Sequence, residues 1–169
     1  MVYYRAMDLS SWIAAFRDLH GKARAGRLAG TDIAIYMKGR NELARALVAA
    51  QRLTLKPGET PRQALRVAKA LQIDLDLAAG RVRAMTLDLS IGGFSALVGR
   101  PPAAGVPVGF SLRMPGGGEP LAGRCRLIDA QNRPGNSRIA CAFEGLTPEA
   151  QERIELVVFD AVVEQFKTV

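Results

Sequence analysis

Leu65-Arg66-Val67-Ala68-Lys69-Ala70-Leu71-Gln72-Ile73-Asp74-Leu75-Asp76-Leu77 decides the fold. Val67, Leu71, Ile73, Leu75 and Leu77, with Lys69 among them, fall on one side. Ala68, Ala70, Gln72, Asp74 and Asp76 fall on the other. That period of two is what a half-buried strand requires. Ala79-Gly80 then reads as a hairpin turn. Further strands are expected at 82–89, 94–98, 106–114, 121–128 and 138–143, with turns at Gly116-Gly117-Gly118 and Asn132-Arg133-Pro134-Gly135-Asn136. Six short strands at this spacing fit a small antiparallel barrel, because closure removes the open edges. A helix should follow. Thr147 is its cap, Pro148 its first position, and Glu149, Glu152 and Glu155 suit the positive end of the dipole. Its apolar stripe is Ile154, Val157, Val158, Ala161, Val162 and Phe166.

Upstream the period is helical. Leu9, Trp12, Phe16, Leu19 and Ala23 recur at steps of three and four, with Ile13 widening the stripe and Asp8 or Ser10 as the cap. Gly26 and Gly30 mark a break. A second stretch carries Ile33, Tyr36, Met37, Leu43, Leu47 and Val48 on one side. Gly39 and Asn41 are candidates to interrupt it, Asn41 then capping a third helix over 42–53. Short amphipathic helices bury their stripes only against a partner: each other, the barrel or a second copy. Lys56-Pro57-Gly58-Glu59-Thr60-Pro61 has turn formers and no apolar residue, so it reads as a linker. The fold expected is therefore mainly β with α, in three parts: a helical segment over 1–56 with two or three helices, a linker over 57–66, and a six-stranded antiparallel β-barrel with a C-terminal helix over 67–169.

Composition narrows the function. Hydrophobic residues make up 49% and charged residues 23% of the 169, the balance of a chain with a real core. Two cysteines and one histidine do not make a structural zinc site, which takes four ligands, so no metal is expected. Cys125 and Cys141 sit at alternating apolar positions and read as buried free thiols. His20, on a helix, has no nucleophile beside it and reads as a surface or interface residue; with no phosphate loop and no acid–base set either, the chain does not read as an enzyme. Asp74 and Asp76 read as solvated strand residues. No apolar run approaches the roughly 20 residues of a membrane span and no signal peptide is visible, so a cytoplasmic protein is expected. The net charge of +7 is uneven: residues 1–56 hold 10 Lys and Arg against 4 Asp and Glu, whereas 57–169 hold 13 against 12. A basic segment suits a solvated face, or an acidic partner, nucleic acid or a membrane surface.

Two constellations remain: Arg62-Gln63-Ala64-Leu65-Arg66 at the entry to the barrel, and Asp88-Leu89-Ser90-Ile91-Gly92-Gly93 at a junction of two strands. With 18 arginines, RxxxR is expected by chance roughly twice in such a chain; with 8 Asp, 6 Ser and 17 Gly, DxSxxG is expected about 0.03 times. Order, spacing and the six-strand context together resemble the PilZ domain family over roughly residues 61–166. Residues 1–56 lie outside the likeness.

The resemblance implies a bacterial receptor for the second messenger cyclic di-GMP, with Arg62, Arg66, Asp88, Ser90, Gly92 and Gly93 as ligand-binding residues. The residue chemistry agrees. Arginine's planar fork pairs with phosphate and grips guanine O6 and N7. An ionised Asp88 accepts only, which suits guanine's N1–H and N2–H; Ser90 donates or accepts beside it. Gly92 and Gly93 permit a tight turn and close backbone approach. Pro61 stands where some PilZ domains carry a further basic residue and bind a stacked ligand pair, which points to a single bound cyclic di-GMP. Binding would order the linker at 57–66 and rearrange the N-terminal helices, which would present a surface to a protein partner or to a second copy in a homo-oligomer. The alternatives are a PilZ-like scaffold that binds no nucleotide, and a ligand-regulated nucleic-acid-binding protein using the basic segment.

Overall fold

A computed structural model describes residues 8–61 and 63–168. They divide into two compact units: one runs up to Leu65 and takes in the chain from Val162, the other is Arg66–Ala161.

The second unit is the barrel. Its strands are β1 (Arg66–Ala68), β2 (Gln72–Leu77), β3 (Gly80–Ser90), β4 (Gly93–Val98), β5 (Val108–Leu112), β6 (Leu121–Arg133) and β7 (Asn136–Glu144). The pairing order β1-β3-β2-β5-β6-β7-β4, with β4 also paired to β3, closes six strands into a ring and leaves β1 as an extra strand on β3. Every pairing is antiparallel. The unbroken alternation over 65–77 is thus two strands, both paired to β3. Gln72 lies opposite Met85, whereas Ala68 lies opposite Asp88, so one extra residue sits between them. Thr86, buried, stitches the break: its hydroxyl accepts from Leu71 N–H at 2.8 Å and donates to the Lys69 carbonyl at 2.6 Å. Leu77 pairs with Gly80 across a two-residue loop, and Gly80 adopts φ 125°, where an L side chain is strained.

Inside the barrel lie Ile73, Leu75, Leu89, Ala96, Leu112 and Ile139, all fully buried, with the rings of Phe94, Phe110 and Phe143 5.2–6.4 Å apart. Cys125 and Cys141 are buried free thiols. The hydrogen bond between them and their burial hold the Cys125 thiol far above its ordinary range, so it stays protonated. Outside, the two strand aspartates pair with arginines: Asp74 with Arg83 at 3.2 Å and Asp76 with Arg81 at 3.3 Å.

Helix α3 (Pro148–Gln165) begins as its sequence dictates, with Ala150 N–H donating to Thr147 Oγ1 at 3.2 Å. Ile154, Val157, Val158 and Phe159 are buried, and Arg153 donates to the Glu119 carbonyl.

In the first unit, α1 (Leu9–Arg24) is capped by Asp8, which accepts from Ser11 N–H at 2.9 Å. Helix α2 (Thr31–Leu53) is one continuous helix; neither Gly39 nor Asn41 interrupts it, and 42–53 is no separate helix. Gly39 serves helix packing: a Cβ there would lie 3.2 Å from Phe16 Cδ2. The expected stripes are only partly covered. Phe16, Tyr36 and Gly39 are buried with His20 and Arg40, whereas Ile33 and Met37 are exposed. Of the two readings, surface or interface, His20 takes the second: it is buried between α1 and α2 and shares a 2.9 Å hydrogen bond with the Tyr36 hydroxyl. The Arg40 guanidinium lies 5.5 Å from the Tyr36 ring centre.

Among the described residues no helix is long and apolar enough to cross a membrane, and no group of three or more His, Cys, Asp or Glu is placed to hold a metal ion.

Candidate functional site

The site builds from β3. Leu89 points into the barrel, so its neighbour Asp88 faces out. A β-bulge between Thr86 and Asp88 breaks the register with β4 just before it. Bulges re-aim side chains, and this one turns Asp88 over the outer face. From there its carboxylate meets two arginines on different strands. Arg66 Nε of β1 lies 3.5 Å from Oδ1, and Arg138 Nη2 of β7 lies 3.4 Å from Oδ2. Asp88 is 14% exposed, while the two arginines are 36% and 41% exposed. The acid is thus sheltered and the bases are reachable from solvent.

Strand register explains the convergence. Ala68, Asp88, Ser95, Ala140 and Asp129 form one row across β1, β3, β4, β7 and β6. The next row is Arg66, Ser90, Gly93, Ala142 and Arg126. The row on the other side holds Met85, Leu97, Arg138 and Gln131. Small residues (Gly93, Ser95, Ala140, Ala142) occupy the middle, and long arginines rise at the margins. Arg126 pairs with Glu144 at 2.8 Å.

Ser90 is buried, and its hydroxyl donates to the Gly93 carbonyl at 3.3 Å, which closes the turn between β3 and β4. The Gly92 carbonyl accepts from Phe143 N–H at 2.9 Å, tying the same turn to β7. A Cβ on Gly93 would lie 2.0 Å from the Cys141 carbonyl oxygen, so this glycine is demanded by the packing of β4 on β7 whatever else it does. A Cβ on Gly92 would meet nothing closer than 3.8 Å. Two polar atoms here are buried with no hydrogen-bond partner: Asp88 Oδ1 and Ser95 Oγ.

Of the six residues singled out in the sequence, Arg66, Asp88, Ser90, Gly92 and Gly93 thus lie on one turn and the strand beside it. Arg62 lies outside the described residues. Arg66 heads β1, so strand pairing begins one residue earlier than the linker was drawn. Arg138 was missed. Its only signal was alternation within its strand, which puts it on the outer face. Its meeting with a residue 50 positions away depends on β7 closing the ring against β4.

The family model of the PilZ domain matches residues 60–160, well over half of the chain. No curated protein matches the sequence at a significant level. Among solved structures, the fold is similar to Escherichia coli YcgR in complex with c-di-GMP, with a TM-score of 0.55 at 21% identity over 63% of this chain and 48% of that one. It is also similar to the Bacillus subtilis inhibitor of motility, MotI (DgrA), with a TM-score of 0.54 at 14% identity over 66% and 54% of the two chains. The isolated PilZ domain of E. coli YcgR, with c-di-GMP, gives 0.54 at 19% identity and is covered over 97% of its length by 64% of this chain. The chain therefore spans about half the length of YcgR and MotI and nearly all of the isolated domain. Barrel, motif order and family match agree: the chain belongs to the PilZ domain family.

Proposed function

We propose that the protein is a non-catalytic receptor for cyclic di-GMP, bound on the outer face of the barrel at the turn between β3 and β4. The observation that carries this reading is the meeting of Arg66, Asp88 and Arg138 on one patch, with the DxSxxG turn beside it. Family membership supports it, as do the c-di-GMP complexes of YcgR. Arg66 and Arg62 clamp phosphate and guanine; Arg138 adds a third guanidinium. Asp88 reads the guanine N1–H and N2–H edge, and the turn of Ser90, Gly92 and Gly93 presents backbone groups beside it.

Without ligand, Arg66 and Arg138 pair ionically with Asp88, whose Oδ1 is left without a hydrogen bond. Binding replaces those pairs: the arginines turn to the dianion, and Asp88 turns to the base. Hydrogen bonds to charged groups contribute roughly 1.5–3 kcal/mol each. Four of them give about 6–12 kcal/mol gross, enough for micromolar affinity, which needs about 8, after the entropic cost of binding. The segment 57–66 is then the two-state element: a change in it on binding alters the arrangement of the N-terminal helices and signals to a protein partner or a second copy.

Calorimetry with cyclic di-GMP tests this. Wild type should bind, Arg66→Ala should abolish the heat, and Arg138→Ala should weaken binding by about tenfold or more. An unchanged isotherm for Arg66→Ala would refute its role. X-ray scattering with and without ligand tests the signalling step. The internal pairing of Arg66, Asp88 and Arg138 also favours a second reading, a PilZ scaffold whose arginines merely brace the barrel. Wild type would then give no heat, and Arg138→Ala would lower the melting temperature instead.

A further inference from the structure

Ser95 belongs to neither motif, yet it stands directly opposite Asp88 in the register of β3 and β4. Phe94 and Ala96 point into the core, so Ser95 faces out, on the same side as Asp88. Although it faces out, it is 2% exposed: it forms the floor beneath the site. A buried hydroxyl is nearly always hydrogen-bonded. This one has no hydrogen-bond partner, and neither does Asp88 Oδ1 above it, which the Arg66 guanidinium meets only as an ion pair at 3.5 Å. Two complementary orphans, a donor and an acceptor, thus face each other across one pair of strands. Directly opposed residues hold their Cβ atoms about 4.5–5.5 Å apart, within reach of a serine–aspartate hydrogen bond after a rotation about χ1.

We propose that Ser95 is a positioning residue of the ligand site: when Arg66 and Arg138 leave Asp88 for a dianionic ligand, the Ser95 hydroxyl donates to Asp88 Oδ1 and keeps the carboxylate aimed at the guanine edge. This rests on the receptor reading. It assigns the two orphans to the bound state, where each finds the other. The pairing also leaves Asp88 Oδ2 free to accept from the base, so Ser95 tunes the choice of base rather than the grip on phosphate.

The test is calorimetry with cyclic di-GMP and with its inosine analogue, which lacks the N2 amino group, on wild type, Ser95→Ala and Ser95→Thr. Thermal melting of the ligand-free proteins accompanies it. Ser95→Ala should leave the ligand-free melting temperature unchanged or raise it, since it deletes an unpaired buried hydroxyl. It should weaken cyclic di-GMP by about tenfold and the inosine analogue by clearly less. Ser95→Thr should restore much of the preference for guanine. If wild type binds cyclic di-GMP and Ser95→Ala binds it equally well, the inference fails and the receptor reading stands. Equal loss for both ligands, or a lowered melting temperature that accounts for the loss, would make Ser95 a packing residue and overturn it too. No binding by wild type removes both.

Discussion

The barrel encloses Ile73, Leu75, Leu89 and Ile139 and keeps its arginines outside, paired to Asp74, Asp76, Asp88 and Glu144. The helical unit does the reverse. It buries His20 and Arg40 beside Tyr36 and exposes Ile33 and Met37. A closed ring satisfies its backbone hydrogen bonds through its own strands, so its outer side chains are available for chemistry. The two helices meet over a smaller interface. Theirs is a ladder of rings, Trp12 on Phe16 at 5.6 Å and Phe16 against Tyr36 at 5.7 Å, with the His20–Tyr36 hydrogen bond and the Lys22–Asp32 ion pair beside it. The difference suits a rigid barrel, which the proposed ligand site would need, and adaptable helices, which the proposed signal would need.

Substitutions can break that comparison. Gly93→Ala should have the largest effect, because its Cβ would overlap the Cys141 carbonyl, which is backbone and has nowhere to go. A loss of about 3 kcal/mol in urea unfolding is expected. A loss below about 1 kcal/mol would mean that β4 and β7 can slide apart and that the barrel is less rigid than argued. Tyr36→Phe comes next. It removes the hydroxyl bonded to His20 and should cost about 1 kcal/mol. Native-state hydrogen exchange should place that cost in α1 and α2 and leave the barrel amides as they were. Gly39→Ala should come out near zero. The new methyl presses on Phe16 Cδ2 at 3.2 Å, a side chain able to shift, while alanine gains about 1 kcal/mol of helix propensity. If it cost as much as Gly93→Ala, the helix interface would be as unforgiving as the barrel's.

The same contrast explains what was legible in the sequence. The barrel was, because alternation, turn glycines and the Thr147-Pro148 start are local signals that agree with one another. Where it was misread, the cause was local as well: 65–77 alternates without a break because the single extra residue near Lys69 preserves the apolar positions on either side. Most of the candidate site lay in two motifs and could be quoted directly. Arg138 could not, since it meets Asp88 only through the register of strands that are distant in sequence; Ser95, one turn away on the next strand, belongs to neither motif. The helices were read less well. Gly39 looked like a breaker because propensity favours that reading, whereas tertiary packing against Phe16 decides it. His20 stayed open between surface and interface because its partner, Tyr36, lies 16 positions away on another helix.

A further expected effect separates the units by pH. Ser11 N–H and the Ser11 hydroxyl both donate to the Asp8 carboxylate, which holds its pKa below the ordinary aspartate range. A carboxyl lowered in the folded state stabilises it above the unfolded pKa, and that contribution is lost as pH falls through the folded value. Protonation removes the N-cap acceptor and the negative charge at the positive end of α1 together. Acid titration followed by hydrogen exchange should therefore show α1 amides losing protection at the low end of the carboxylate range while the strand amides of β4 and β7 hold theirs. In Asp8→Ala that acid step in α1 should vanish, with α1 less protected already at neutral pH. Parallel loss in α1 and in the barrel strands would mean that the two regions unfold as one, and the division between a rigid barrel and adaptable helices would be wrong.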